Sequence, residues 1–444
     1  MTPMKKNIAI IGAGLSGLST AYLLAKKYPE ATITVLEKEQ VAGGTIGTLR
    51  KEGFILETGP NGFLSSKPST LKLVAELGLE DELIEANEQS KKRFVYHAGR
   101  LQELPDSPAK FLRSQLLSWP AKCRIFLEPF IPARHDTVDE TVAEFGRRRL
   151  GASAVNVLLD PMVSGVFAGH VERLSMGSCF PRMIQLEREY GSLVRAMIRL
   201  KAKKVSPKGS LLSFKQGMAT LIQSLVKSNT FALRLGQGVN KIAKVQGGYR
   251  VNADPTRYDV VILACPTHQL VAMEFEYIKP LQSQIADVVY PTVYVVHFLV
   301  PKGSTTGFGF LNPSMENRLS MGALFSDQLF ENRAPYGCSL VTVLLGGDHH
   351  PEALRWTESE AVDRARNDLM NTLNLREDDL KLLHVVKWTQ SIPQYYVNHR
   401  EKVALMDSSQ KDGLYITGNA WHGVGINDCV KASYDLVARI SMGA

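Results

Sequence analysis

The chain has few cysteines: Cys123, Cys179, Cys265, Cys338 and Cys429 are odd in number, far apart and never in a CxxC pair. That excludes a disulfide-built scaffold and a thiolate metal site, and suits reduced, mostly buried thiols in a cytoplasmic setting. Long apolar runs are missing too. The longest, such as VVILAC and VYVVHFLV, fall far short of the roughly 20 residues a bilayer-spanning helix needs. The stretch after Lys5 and Lys6 is interrupted at Gly12 and does not read as a secretion signal, so membrane contact is expected to be peripheral at most. His349 and His350 are adjacent beside Asp348 rather than at i, i+4, which reads as a loop and not a metal site. No paired carboxylates and no nucleophile with its base stand out. Basic residues are not interleaved with aromatics, so the formal net charge of +8 points to an anionic membrane surface or a carboxylated substrate before nucleic acid.

What is present is a globular composition, 44% hydrophobic and 22% charged over 444 residues, enough for two or three structural units. The organising stretch is residues 7 to 44, NIAIIGAGLSGLSTAYLLAKKYPEATITVLEKEQVAGG. Asn7 to Ile11 form an apolar run too short for a helix, and Gly12, Gly14 and Gly17 supply GxGxxG as it passes into Leu15 through Lys27. In a dinucleotide-binding unit the first glycine makes the tight turn, the second admits a pyrophosphate, and the third lets helix and strand touch. The helix start offers free N–H groups and a positive dipole end to phosphate. Glu37 follows the strand TITVLE, twenty positions after Gly17, where a carboxylate accepts hydrogen bonds from ribose hydroxyls and favours FAD or NAD over NADP. A plain glycine turn is the alternative, and the register of strand, helix, strand and acid argues against it.

Further along, STLKLVAELGLEDELIE has helical spacing with Ser69 as a cap and Gly78 as a stop. After a short hairpin in FVYHAGRLQELP, strand alternation largely disappears until about residue 204. There AKFLRSQLLSWPAKCRIFLEPFIPARH mixes Phe111, Leu112, Leu116, Leu117, Trp119, Phe126, Leu127, Phe130 and Ile131 with Lys110, Arg113, Lys122, Arg124 and Arg134. Such a mixture suits an element seated on anionic lipid; an amphipathic core helix pair broken at Pro120 is the alternative. RAMIRLKAKKVSPKG, with Arg195, Arg199, Lys201, Lys203, Lys204 and Lys208, reads as a helix end entering a solvated linker. The chain then gives a strand and helix in LLSFKQGMATLIQSLV, a hairpin looped at Gly247 and Gly248, and the buried strand YDVVILACP. Residues 267–404 are rich in strands and include the helix ESEAVDRARNDLMNTLN; GLYITGNAWHGVGINDCVKASYDLVARI closes the chain as strand, glycine turn and helix.

The expected fold is α/β: a Rossmann-like FAD-binding unit from residues 1–85, 205–266 and 405–444, a helical insertion at 86–204, and a mixed-sheet α+β substrate unit at 267–404.

Three separated motifs, GAGLSGL with Glu37 and the Gly43–Gly44 pair, DPMVSGVFAGHVERLSMGSCFP, and ITGNAWHGVGINDCV, resemble the FAD-dependent porphyrinogen oxidases of the flavin amine oxidase-like superfamily. The first and last are shared widely there; SGVFAG and SCFP are the more specific. The resemblance implies FAD, held by Gly12, Ala13, Gly14, Leu15, Ser16 and Gly17, by Glu37 and Lys38, and by Gly43, Gly44 and Thr45. It implies that Gly59, Pro60, Asn61 and Gly62 run under the isoalloxazine, although a plain β-turn satisfies the same residues. Val239 would meet adenine through its backbone, and Asn419, Val424, Gly425 and Ile426 would sit by flavin N1 and O2. Val41 stands where the family's ExxxRxGG pattern has arginine.

The implied chemistry is oxidation of a porphyrinogen to a porphyrin in heme synthesis: six electrons leave in three two-electron steps, each a hydride passing to flavin N5, with oxygen as final acceptor. Gly165 would turn its carbonyl to the ring N–H groups, and Leu270 would sandwich the macrocycle; a helix-packing glycine and a core leucine are the alternatives. Ser164 and Asn61 stand where some relatives have arginine, which leans toward the two propionates of protoporphyrinogen over the four of coproporphyrinogen III. A flavin amine oxidase is the more remote reading. Expected partners are the porphyrinogen, oxygen, an anionic membrane face touched peripherally from the cytoplasm, and the next heme-pathway enzyme receiving product.

Overall fold

The computed structural model describes residues 6–136, 138–202 and 209–441; Lys5, Lys203, Lys204 and Lys208 of the sequence reading lie outside it. Its centre is a five-stranded parallel sheet ordered Ala232–Arg234, Thr32–Leu36, Asn7–Ile11, Val260–Leu263, Leu414–Ile416. Three distant pieces of chain therefore meet in one sheet. Both faces are covered, which is why the strands read as unbroken apolar runs. Ile8 and Ile10 pack with Leu18, Leu24, Leu221 and Val430 on one face, and Ala9 and Ile11 with Tyr249, Met273 and Leu281 on the other. The helix Leu15–Lys27 lies along Ile426–Arg439, and Lys27 Nζ donates to the carbonyls of Val437 and Ile440 at 2.7 and 2.8 Å, using a cation where a helix end leaves carbonyls free.

A second, seven-stranded sheet runs Lys381–Trp388, Val293–Pro301, Cys338–Gly346, Ser320–Phe325, Gly309–Leu311, Phe94–His97, Arg100–Glu103. One face, with Tyr294, Val296, Phe298, Val341 and Val343, is covered by the helix Glu358–Leu373. That helix starts at a capping box of Thr357 and Glu360 and ends at Asn374 in a left-handed conformation. The opposite face, with Val293, Val295, Met321 and Trp388, meets the segment after Phe54–Glu57 through a bond from Trp388 Nε1 to the Thr58 carbonyl at 2.7 Å.

Several local expectations are corrected. The hairpin Phe94–His97/Arg100–Glu103 was grouped with the helical insertion, yet it extends the seven-stranded sheet by parallel pairing of Phe94 with Phe310, a pairing across more than two hundred residues that no local pattern announces. Ser69 lies inside the helix Pro68–Glu76, whose N-cap is Lys67, because proline fits the first helical turn, where no N–H is needed. The later hairpin pairs Val245 with Gly248, so its two-residue loop is Gln246 and Gly247, and Gly248 belongs to the strand. Pro120 opens the helix Trp119–Phe126 rather than breaking one.

Part of the basic charge between residues 110 and 134 is engaged by the protein itself. Lys122 is buried and donates to the carbonyls of Leu112 and Ser114 at 2.8 and 2.6 Å. Arg124 donates to the carbonyl of Arg148 at 2.6 Å, and Arg134 pairs with Asp136 at 2.6 Å. Among the apolar members Leu116 and Leu117 are buried, whereas Trp119, Phe126, Leu127 and Phe130 are exposed by 63, 51, 55 and 80%.

Beneath them lies the fully buried pair Arg149–Glu128. Glu128 also accepts from the Ser192 hydroxyl and from the first N–H groups of the helix Leu193–Ala202, Leu193 and Val194, at 3.0 and 3.1 Å. Burial by itself would raise the Glu128 carboxyl, but these donors, from Ser192, Leu193, Val194 and Arg149, outweigh it and hold its pKa below the ordinary value. Removing one member of a buried pair strands the other at a cost of about 3–5 kcal/mol. Glu128→Gln is therefore expected to lower stability by roughly that amount at neutral pH in urea unfolding. Because the folded value is depressed, the wild-type advantage is present above the ordinary glutamate value of 4.5 and shrinks as pH falls through the folded one. A variant as stable as wild type at pH 7 would refute this role.

Candidate active site

The three glycines of the first turn have separate physical reasons. Gly12 sits at φ +106°, and a Cβ there would lie 2.9 Å from the Ala264 carbonyl oxygen. At Gly17 a Cβ would stand 2.0 Å from the Gly12 carbonyl oxygen, so helix and strand touch at a distance only hydrogen permits. At Gly14 a Cβ would meet nothing within 4 Å. Gly14 is the N-cap of Leu15–Lys27 and supplies no side-chain oxygen, so the first N–H groups are left for an external acceptor.

Ala13 is buried; its N–H donates to Glu37 Oε2 at 2.7 Å and its carbonyl accepts from Gly43 N at 2.8 Å. Glu37 Oε1 accepts from Glu39 N at 3.0 Å, which fixes the carboxylate while leaving lone pairs on both oxygens for a diol. The Gly43–Gly44 pair folds back on the first turn, bridging Gly43 to Gly14 and bringing Gly44 to where its Cβ would lie 3.6 Å from the Gly14 Cα. Lys38 and Thr45 are exposed on this rim, whereas Leu15 and Ser16 are buried, the Ser16 carbonyl accepting from Ser433 at 3.1 Å. Gly238, next to Val239, would bring a Cβ to 3.4 Å from Lys38, so Val239 lies beside the Glu37 end of the groove.

Gly59 passes so close to Thr45 that a Cβ would meet its carbonyl oxygen at 2.1 Å, and Gly62 is pressed equally onto Leu212. Pro60 and Asn61 lie between them, half-buried, with Asn61 Nδ2 directed to the Gly59 carbonyl at 3.4 Å. The closing turn presents a second helix start without a side-chain cap, at Gly425 before Ile426–Arg439. Tyr395 braces that turn: its hydroxyl donates to the Asn419 carbonyl and accepts from Gly423 N at 3.0 Å. Val424 packs against the cluster of Phe145, Phe167 and Leu174, which joins the turn to the helix Asp160–Phe167.

The chain matches the family described as flavin containing amine oxidoreductase over residues 15–441. It belongs to that family. It is 30% identical to the chloroplastic protoporphyrinogen oxidase of Nicotiana tabacum over 97% of this chain and 85% of that one. It is 29% identical to the coproporphyrinogen III oxidase of Bacillus subtilis over 97% of both. The crystal structure of an Exiguobacterium protein assigned as a protoporphyrinogen oxidase superposes with a TM-score of 0.85 at 23% identity, covering 98% of each chain.

FAD is thus the cofactor of this flavin oxidoreductase, and the residues fit it: two uncapped helix starts for its anionic parts, an open space at Gly14, and a fixed carboxylate at Glu37. Val41, in the family's arginine position, is 75% exposed and lends no charge.

The helix Asp160–Phe167 exposes Met162, Gly165 and Val166 on one face. At Gly165 a Cβ would stand 2.6 Å from Leu311 Cδ2, so the leucine side chain packs directly onto the glycine. Asp160 anchors the helix start: Oδ2 accepts from Ser314 N at 2.7 Å and Oδ1 lies 3.2 Å from His349 Nε2. Burial would raise this carboxyl, but His349 and the Ser314 N–H hold it below the usual range. Leu270 is a correction: it is fully buried with Tyr249, Met273 and Leu281 under the parallel sheet, so it has no face to offer a macrocycle.

Sequence reasoning missed Trp388, which holds Thr58 next to Gly59, and Tyr395, which braces Asn419 and Gly423. Neither sits in a spaced motif.

The glycine geometry makes opposite expectations for two alanine variants. Gly14→Ala folds with nearly unchanged melting temperature but loses bound flavin through desalting, read from absorbance near 450 nm, because its methyl enters ligand space alone. Gly17→Ala destabilises the protein itself, since its Cβ collides with backbone. Equal thermal destabilisation by both would contradict the assignment.

Proposed function

We propose that this enzyme oxidises a porphyrinogen to the porphyrin, removing six electrons in three two-electron steps, with protoporphyrinogen IX as preferred substrate. When bound, FAD supplies the hydride acceptor and its reoxidation by oxygen. The observation that carries the reading is the apolar shelf of Met162, Gly165 and Val166, with Leu311 against Gly165, joined through Phe167 and Val424 to the turn that serves the flavin. A flat ring laid on this shelf is held by burial of apolar surface, with Leu311 packed over the Gly165 position. No basic side chain occurs in DPMVSGVF, and Ser164 is 4% exposed. Carboxylates of the substrate are therefore best left toward solvent, which favours a ring with fewer of them. Coproporphyrinogen III is the second reading, supported by the B. subtilis relative, which this chain matches end to end.

Porphyrin fluorescence decides between them. Protoporphyrinogen is expected to turn over faster than coproporphyrinogen III at equal concentration, and Val166→Arg to narrow or invert that ratio by giving a propionate a partner. Much faster turnover of the four-propionate ring by wild type would overturn the preference.

We also propose a cytoplasmic protein that touches a membrane face peripherally and passes its product to the following heme-pathway enzyme. Support comes from the exposed Trp119, Phe126, Leu127 and Phe130, side chains that partition into the headgroup boundary; among the described residues no helix is long and apolar enough to cross a membrane. Since Lys122, Arg124 and Arg134 are engaged within the protein, the contact is expected to depend on insertion more than on charge. Trp119→Ser with Phe130→Ser should reduce binding to phosphatidylcholine/phosphatidylglycerol vesicles roughly tenfold or more, with a modest response to salt. Unchanged vesicle binding would remove the proposal.

A further inference from the structure

The motif SMGSCFP is only partly explained by packing. Its Gly177 forms one wall of a cavity of about 210 Å³, completed by Tyr395, His399, Arg400, Trp421 and His422. The Arg400 guanidinium lies flat on Gly177: a Cβ there would stand 2.5 Å from Nη2 and 2.6 Å from Cζ, and Nη2 donates to the Gly177 carbonyl at 2.7 Å. Glycine at this position thus makes room for a cation, whose remaining N–H groups are not used by that bond. The floor is apolar and flat, with the rings of Tyr395 and His399 stacked at 4.1 Å and 12°. Two buried ring nitrogens, Trp421 Nε1 and His399 Nε2, lack a hydrogen-bond partner in residues that are each 3% exposed, a condition that costs free energy unless a ligand or water relieves it. No carboxylate residue lines the cavity.

We propose that this cavity binds a small aromatic carboxylate, its ring against Tyr395, His399 and Trp421 and its anionic end at Arg400. The guanidinium is built for a carboxylate, the indole N–H is a donor, burial pushes the His399 imidazole down to about 4 so that it serves as a neutral ring, and the flat walls favour a ring. The volume is below the roughly 300 Å³ at which pockets for drug-sized ligands begin, so a one-ring molecule fits and a tetrapyrrole does not. The cavity is separate from the Met162–Gly165–Val166 shelf, and it is coupled to the cofactor: Trp421, His422 and Gly423 line it, and the next two residues are Val424 and the helix cap Gly425. Occupancy therefore bears on the turn placed at the flavin pyrimidine edge.

The test uses the purified holoenzyme and 4-bromobenzoate. Calorimetry is expected to give one saturable site, weakened at least tenfold by Arg400→Met, an exposed substitution that leaves the fold intact, and also by Trp421→Phe, which keeps the ring and removes the donor. Crystals soaked with the same compound should show the bromine anomalous signal between Arg400 and Trp421, and the flavin visible spectrum should shift with the same midpoint as the heat. Absence of saturable binding, binding undiminished by Arg400→Met, or a bromine signal on the Gly165 shelf instead would each overturn the proposal. Since neither calorimetry nor the anomalous signal depends on porphyrinogen turnover, the result stands apart from the substrate assignment.

Discussion

Everything in this protein depends on how closely backbone approaches backbone around the first turn. With the Gly17 position 2.0 Å, as a Cβ, from the Gly12 carbonyl, the helix Leu15–Lys27 can lie directly on its strand, and its uncapped start then points along the carboxyl edge of the parallel sheet. The Ala264 carbonyl behind Gly12 and the Gly59 passage over Thr45 are likewise too close for a side chain, each a carbonyl oxygen against a missing Cβ, and the Gly43–Gly44 pair folds back on Gly14 beside them. A groove for a dinucleotide made this way has little freedom to deform, because backbone cannot choose another rotamer.

The second sheet is tied to the groove segment and to the helix Asp160–Phe167 by directed bonds as well as by the buried cluster of Phe54, Leu56, Leu340 and Leu383. Trp388 reaches Thr58 at 2.7 Å, Gln394 donates to the Phe167 carbonyl at 2.8 Å, and Asp348 N donates to the Ala168 carbonyl at 2.7 Å. Ala168 holds φ +50°, the left-handed end of the signature helix, and is fixed by that last bond. The helix Asp160–Phe167 is thus positioned from both its ends: Asp160 by Ser314 and His349, Ala168 by Asp348. A helix held at its two termini keeps its middle, where Gly165 lies, in a fixed place.

The cofactor half of this arrangement was legible in the sequence, and the reason is physical. A φ of +106° at Gly12 or a contact of 2.0 Å at Gly17 can be met by one residue type, so the requirement is written in the letters themselves at fixed spacing. The strand and helix order of the second sheet was legible from its strand-rich runs and from the helical spacing of ESEAVDRARNDLMNTLN. Leu270, Lys122 and Arg124 were not. A leucine in a six-residue helix reads the same whether it faces a core or a ligand, and a lysine reads as solvent-facing until its carbonyl partners, Leu112 and Ser114, are seen to surround it. The Phe94 hairpin failed for a related reason: an edge strand is defined by its partner, and Phe310 is not local.

That division explains why family membership is easier to read than substrate. Flavin binding is encoded by backbone conformations, which tolerate few residues, whereas the proposed ring-holding shelf is made of Met162, Val166 and Leu311, any of which a similar apolar residue could replace at little cost. Protoporphyrinogen and coproporphyrinogen share the macrocycle that such a surface grips. They differ in charge at the periphery, so discrimination must come from whether a cation is supplied at the rim of the shelf. Here the buried Ser164 and half-buried Asn61 occupy two such places without charge, and Arg173, a nearby cation of the same motif, is already paired with Asp348 at 2.9 Å and stacked over Tyr396. An arginine committed to a carboxylate of its own protein is a weak anchor for one from a substrate, which is why the proposed preference for the less acidic ring rests on the uncharged shelf rather than on the overall positive charge.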